Sequence, residues 1–427
     1  MTKVSTLGAA RIFAAGLGLV TQILLARALG ASDLGLVYIV MSAASVLALV
    51  CGLGFPSVTI RFIAQYRAEA HRAAADAFMR FSRITSYTLL GVVMTVGLVA
   101  ILVSGNEDQG IYKALLLGLT AACYMALRLN GALANADRHF NLAYLPTLLG
   151  KPVIVLAGVA LMMAGAVGMT ALGFLAIHLI GVVLLAAWQA WRVRNLRRAT
   201  FAAEMAAGAR WETRPPLPKR RTWLKPAVTM LPVALFTAMF ADACILAAAP
   251  FLAPSDLAVF GICLKLAFLV GFAIQVVSQV VLPDAADAVF AEDKHELRRL
   301  MRLTSWFGAG IAMVALASFA ILGEFVLSLF GDDFTPGWLC LLVLAASQVM
   351  RGAMGPGSYL LAISGGERHT IPLSILGVLL LVGLTAGLAP AYGLTGAAIA
   401  VLATQTIWSA ALAVSATRHT GVSPALI

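Results

Sequence analysis

Twelve apolar runs, each about the length a bilayer demands, dominate this sequence. They fall near 4–29, 34–55, 84–104, 114–134, 144–163 and 169–191, then near 226–250, 258–282, 304–328, 338–363, 370–390 and 396–416. A helix needs roughly 20 apolar residues to cross the hydrocarbon core. Lipid offers a bare backbone no hydrogen-bond partner, so runs of this length must be helices. Only 11% of the chain is charged and 61% is hydrophobic, whereas a water-clothed surface uses about 25% charged residues. A soluble fold is excluded, and the expected fold class is an all-α polytopic membrane protein of about 12 transmembrane helices.

Orientation follows from where the basic residues lie. With the N-terminus inside, cytoplasmic segments hold 23 of the 30 Lys and Arg, including ten within 192–225, and periplasmic loops hold only Arg27 and Lys113. The positive-inside bias therefore gives N-in, C-in. It also accounts for the net charge of +11 without nucleic acid as a partner. The five cysteines, Cys51, Cys123, Cys244, Cys263 and Cys340, all sit in apolar runs with no C-x-x-C pair, so they read as small buried residues. Lys3, Arg11 and Ala26-Arg27-Ala28 imitate a signal peptide. Cleavage there would leave an odd number of spans, so the segment is expected to remain as the first helix.

The longest loop divides the spans six and six. We expect an N-terminal six-helix bundle at 1–191, a basic cytoplasmic linker at 192–225 and a C-terminal six-helix bundle at 226–427. The linker reads as a solvated segment with a short amphipathic stretch suited to an anionic lipid surface. A trace of internal duplication supports two pseudo-symmetric halves. Ala31-Ser32-Asp33-Leu34-Gly35 after the first span parallels Pro254-Ser255-Asp256-Leu257-Ala258 after the seventh, and Pro56 closes the second span as Pro283 closes the eighth.

Charges inside the spans carry the functional signal, because each costs roughly 2.5–3.5 kcal/mol at mid-bilayer on insertion scales. Five are basic (Arg11, Arg128, Lys151, Lys265 and Arg351), and the acidic residue set well inside a span is Asp242. Asp242 and Lys265 lie at similar depths, roughly 12 Å in at 1.5 Å per residue, and suit either an ion pair or a gating and coupling pair. Arg11, Lys151 and Arg128 divide between snorkelling anchors and cavity-lining residues. Arg351 is the deepest and is followed by Gly352, Gly355, Pro356 and Gly357, a set expected to break the tenth helix and act as its hinge. Irregular backbone at that depth must face protein or a watery cavity. An excess of buried cations suits an anionic substrate such as a pyrophosphate head group.

No P-loop or H-E-x-x-H sequence occurs, and the periplasmic loops are too short to build a catalytic site. An enzyme is therefore not expected, nor a cofactor or metal. His178, inside the sixth span, reads as a helix-contact residue.

Several segments resemble a known family. Ala26-Arg27-Ala28-Leu29-Gly30, running on to Leu34-Gly35-Leu36, is similar to the segment after the first helix of oligosaccharide flippases. Leu329-Phe330-Gly331-Asp332-Asp333-Phe334 resembles the end of their ninth helix, and Gly352 to Gly357 with Ser364-Gly365-Gly366-Glu367-Arg368 resembles their tenth helix and the turn after it. Asp242 stands where many members carry an Asp followed by a basic residue, but here Ala243 follows.

The resemblance is to the polysaccharide-transport branch of the multidrug/oligosaccharidyl-lipid/polysaccharide exporter superfamily and spans essentially the whole chain. It implies two six-helix bundles around a central cavity and alternating access at the bacterial inner membrane. It also implies a polyprenyl-pyrophosphate-linked oligosaccharide as cargo, and polysaccharide polymerase and glycosyltransferases as partners. Arg351, Arg128, Arg11 and Lys151 would line the cationic path, and Asp242 and Lys265 would couple it to protons, sodium or the membrane potential. A lipid II flippase, a multidrug antiporter and a membrane glycosyltransferase or ligase remain the alternatives.

Overall fold

In the computed structural model the described residues are 2–103, 110–206 and 220–426, and side chains are described from Phe13 onward, 203–205 excepted. Arg11 thus falls outside the described side chains. Every regular element among the described residues is helical. The helices are α1 (Thr2–Cys51), α2 (Phe55–Ala68), α3 (Arg72–Val103), α4 (Gly110–Ala136), α5 (Phe140–Leu145), α6 (Lys151–Met163) and α7 (Ala171–Ala206). They continue with α8 (Arg220–Ala238), α9 (Phe240–Ala248), α10 (Pro254–Phe290), α11 (Lys294–Ser328), α12 (Trp338–Met354), α13 (Gly357–Ile363) and α14 (Thr370–Thr420).

Among the described residues nine helical stretches are long and apolar enough to span a bilayer, and α8 with α9 makes a tenth that bends by 80°. Two of these stretches hold two crossings each. The helix of α1 breaks at Gly30 (φ 73°, ψ 172°) and that of α14 at Gly393 (φ 56°, ψ −134°). Only glycine enters those backbone regions cheaply. Counted this way, the described residues hold twelve helical stretches suited to crossing a bilayer, the number the apolar runs imply. The fifth crossing is interrupted too. A π-helical turn at Pro146–Gly150 joins α5 to α6, because Pro146 and Pro152 both lack the N–H that a continuous α-helix needs.

Polar signals set the hairpins. Pro254 opens α10 after extended Ala253, with Asp256 in the first turn, where proline's fixed φ and a carboxylate both favour a helix start. Asp293 caps α11 by accepting from the backbone N–H of His295 and Glu296, each at 3.0 Å. Such a cap is worth about 1 kcal/mol.

The chain divides into two compact units. The first contains Met1–Ala28 and Val40–Leu235, the second Leu29–Ile39 and Phe236–Ile427. These bounds depart from those expected. The stretch 192–206 is helical and continues α7 rather than forming a separate linker helix, and 207–219 lies outside the described residues. The start of α8 is held in the first unit by Trp223, which is buried against Phe78 with ring centroids 5.8 Å apart. Its indole Nε1 donates to the Tyr66 hydroxyl at 2.6 Å. In the second unit the paired segments of the proposed duplication meet: a Cβ on Gly35 would lie 1.7 Å from the Pro254 carbonyl oxygen, so only glycine permits that approach.

Candidate functional site

Arg351 occupies the last turn of α12, where the helix dipole is negative and favours a cation. The helix stops three residues later. Gly355 takes φ 72° and ψ −175°, and Pro356 then starts α13. Gly355 N–H still reaches the Gly352 carbonyl at 3.2 Å, and Leu360 N–H restarts the ladder on the Pro356 carbonyl at 3.0 Å. The break expected in the tenth span is therefore confined to Gly355 and Pro356.

Gly352 and Gly357, also assigned to the hinge, lie in helix on either side of the break. Each lies at a close backbone crossing. A Cβ on Gly352 would stand 2.6 Å from the Gly308 carbonyl carbon of α11, and one on Gly357 would stand 3.1 Å from the Leu412 carbonyl carbon of α14.

Around the break the second unit encloses a cavity of about 530 Å³. Arg351 is its only charged lining residue among the described residues, and no carboxylate lines it. One turn before Arg351, Gln348 is fully buried. Its Nε2 donates to Ser347 Oγ at 3.0 Å, and its Oε1 has no hydrogen-bond partner among the described residues. Both side chains rely on Gly271 of α10 for room: a Cβ there would lie 2.5 Å from Gln348 Oε1 and 2.9 Å from Arg351 Nη1.

Aromatic rings form much of the opposite wall. Phe236 packs on Trp408 and on Phe240 with centroids 4.6 and 4.7 Å apart. Trp408 Nε1 is buried with no partner among the described residues. An unneutralised guanidinium and the flat faces of Phe236, Phe240 and Trp408 can together hold an anionic ligand with apolar sugar faces. A cation would meet only repulsion from Arg351.

The other residues expected at the site are dispersed. Arg128 lies half-buried in α4 and Lys151 at the start of α6, and neither is among the residues lining this cavity. Lys151 Nζ sits 3.6 Å over the ring of Tyr124, whose hydroxyl pairs with His178 Nε2 at 2.9 Å. His178 is thus a buried helix-contact residue within the first unit. Lys265, in α10, places its Nζ 3.6 Å over the ring of Tyr38. Asp242 lies in the first turn of α9, just beyond the 80° bend, rather than within one continuous seventh helix. Its charge acts on Lys265.

Sequence reasoning missed Trp408 and Gly271, which line the cavity, and Gln348, which shares the space over Gly271 with Arg351 without lining the cavity. Gln348 was within reach of it, because a polar residue three positions before a buried arginine shares its helix face. Trp408 and Gly271 come from other helices and left no such mark.

Comparison with known proteins follows this geometry. Residues 1–209 match the family described as "Polysaccharide biosynthesis protein". No curated protein matches the sequence. Among solved structures, an inward-facing multidrug resistance MATE transporter of the MOP superfamily aligns with a TM-score of 0.70 at 15% identity, covering 96% of this chain and 94% of that one. The lipid II flippase MurJ in an inward closed conformation aligns at 0.70 and 14% identity, covering 96% and 86%. A mutant of the Vibrio cholerae MATE transporter VcmN aligns at 0.61 and 14% identity, covering 98% of each chain. The shared property at these identities is the polytopic all-α fold.

Proposed function

We propose that this chain, with the fold of MATE transporters and MurJ and an N-terminal half matching a polysaccharide-biosynthesis family, is a flippase for a lipid-linked oligosaccharide. The cargo is a polyprenyl-pyrophosphate-linked glycan, carried by alternating access from the cytoplasmic to the periplasmic leaflet of a bacterial inner membrane. Capsule, exopolysaccharide or O-antigen export would use it, alongside glycosyltransferases and a polymerase.

One observation carries the reading: Arg351 stands without a carboxylate in an aromatic-walled cavity beside a broken helix. A guanidinium binds phosphate oxygens in bidentate fashion, and aromatic faces suit the apolar faces of sugar rings. A cationic-drug antiporter is the poorer fit, since that cavity offers a drug cation no acidic partner. Asp242 and Lys265 are the pair assigned to coupling with protons, sodium or membrane potential, and Gly355 with Pro356 is the point where the tenth span flexes.

Export of the lipid-linked glycan in cells tests this. Arg351→Ala and Arg351→Glu should reduce export at least tenfold, the equivalent of about 1.4 kcal/mol, with the protein still present in the membrane. Arg351→Lys, which keeps the charge but loses the fork, should fall between them and the parent. Undiminished export by Arg351→Glu would refute the assignment.

A further inference from the structure

A second charged cavity lies in the first unit, far along the sequence from Arg351 and serving none of the steps above. It measures about 360 Å³, within the range of about 300–1,000 Å³ typical of small-ligand sites. Its walls are the end of α2, the start of α3, the last turns of α4 and the C-terminal part of α7. The positive-inside rule places all four ends at the cytoplasmic boundary.

Six arginines line it, Arg67, Arg72, Arg83, Arg194, Arg197 and Arg198, against two acids, Asp76 and Asp137. Asp137 is spent on two of them, pairing with Arg67 and, at 3.1 Å, with Arg197 Nε. Asp76 meets Arg72 Nε at 3.5 Å. The guanidinium of Arg72 is pinned over the Phe201 ring, 3.0 Å from its centroid, yet its Nη1 is buried with no hydrogen-bond partner among the described residues. Arg83 donates to the Asn130 side chain at 3.0 Å, which satisfies one N–H and neutralises no charge. Arg194 and Arg198 are exposed at the rim, with no carboxylate within ion-pair distance among the described residues.

Among the described residues, four positive charges are in excess around this one chamber and repel one another unless an anion enters. Topology alone would scatter basic residues over exposed surface. Here three separate helices bring them to one concave site, and packing and a hydrogen bond orient two of them.

We infer that this cavity is a binding site for a phosphate-bearing group at the cytoplasmic leaflet, gripped by Arg83, Arg194 and the free Nη1 edge of Arg72. The ligand chemistry is a phosphate ester, supplied either by an anionic phospholipid head group or by a soluble phosphate. Charge-assisted bonds from several guanidinium groups hold it, and its affinity should fall with ionic strength because the rim is open to solvent.

The test uses the full-length protein in detergent, titrated separately with inorganic pyrophosphate and with phosphatidylglycerol in mixed micelles, phosphatidylcholine serving as the blank. The variants are Arg83→Gln and the rim double variant Arg194→Gln with Arg198→Gln. At least one anionic probe should bind to the parent and weaken about tenfold or more in Arg83→Gln and in the rim variant. Phosphatidylglycerol binding alone would identify a lipid head group as the source, and binding of both would identify the phosphate itself. The rim side chains are exposed, so that variant separates a lost site from a lost fold. Binding of neither probe, or binding that survives both cavity variants, overturns the inference.

Discussion

Arg351 owes its position to a neighbour that has no side chain. Gly271 leaves a space that Gln348 Oε1 and Arg351 Nη1 both enter. Gly271→Ala would put a methyl group there. Both threatened atoms are the ends of long side chains, so they would swing aside and the backbone would stay. The expected outcome is a loss of glycan export of several-fold or more, with membrane levels and thermal stability of the purified protein near those of the parent. Export equal to the parent's would mean that the placing of this guanidinium does not matter.

Glycines in and beside the helix breaks are held by two different mechanical constraints, and substitution should separate them. At Gly393 the backbone is left-handed, but a Cβ would meet nothing within 4 Å. Gly393→Ala therefore bears only the conformational cost, about 1–2 kcal/mol. Gly352 is helical, and a Cβ there would lie 2.6–2.7 Å from the backbone of Gly308 and Ala309. No rotamer can relieve a clash with backbone, so Gly352→Ala must push α12 away from α11. Overpacking of this kind costs about 1–3 kcal/mol and sometimes more. Gly355→Ala combines both penalties, since φ is 72° and the Pro424 carbonyl oxygen would stand 2.1 Å away. Thermal unfolding in detergent should rank Gly355→Ala as the most damaging and Gly393→Ala as the mildest of the three. A reversed order would contradict the close crossing of α11 and α12.

For the whole molecule the testable quantity is topology. The N-in, C-in arrangement puts the start of α4 outside and the turn between α13 and α14 inside. The native cysteines are buried, apart from half-buried Cys123, so an introduced thiol can be read against a quiet background. Lys113→Cys should react with a membrane-impermeant thiol reagent in intact cells once the outer barrier is opened. Arg368→Cys should react only after the inner membrane is permeabilised. Labelling of both in intact spheroplasts would undo the topology.

The helical crossings and the deep arginine beside Gly355-Pro356 could be read along the chain. The cost of putting a residue into lipid is local and nearly additive, so a stretch of twenty residues settles by itself whether it crosses. Even Arg351 announces itself, because a charge amid apolar residues needs a polar refuge wherever the helix goes. Which residues supply that refuge is a different question. Trp408 and Gly271 join Arg351 at its cavity from α14 and α10, and the six arginines of the other cavity arrive from α2, α3 and α7. Along the chain those six look like ordinary positive-inside residues. Only the crossing of helices distant in sequence made a chamber of them, while Lys151 and Lys265, conspicuous in the sequence, were set over aromatic rings. Convergence of side chains depends on how packed helices meet, and no single segment contains that information.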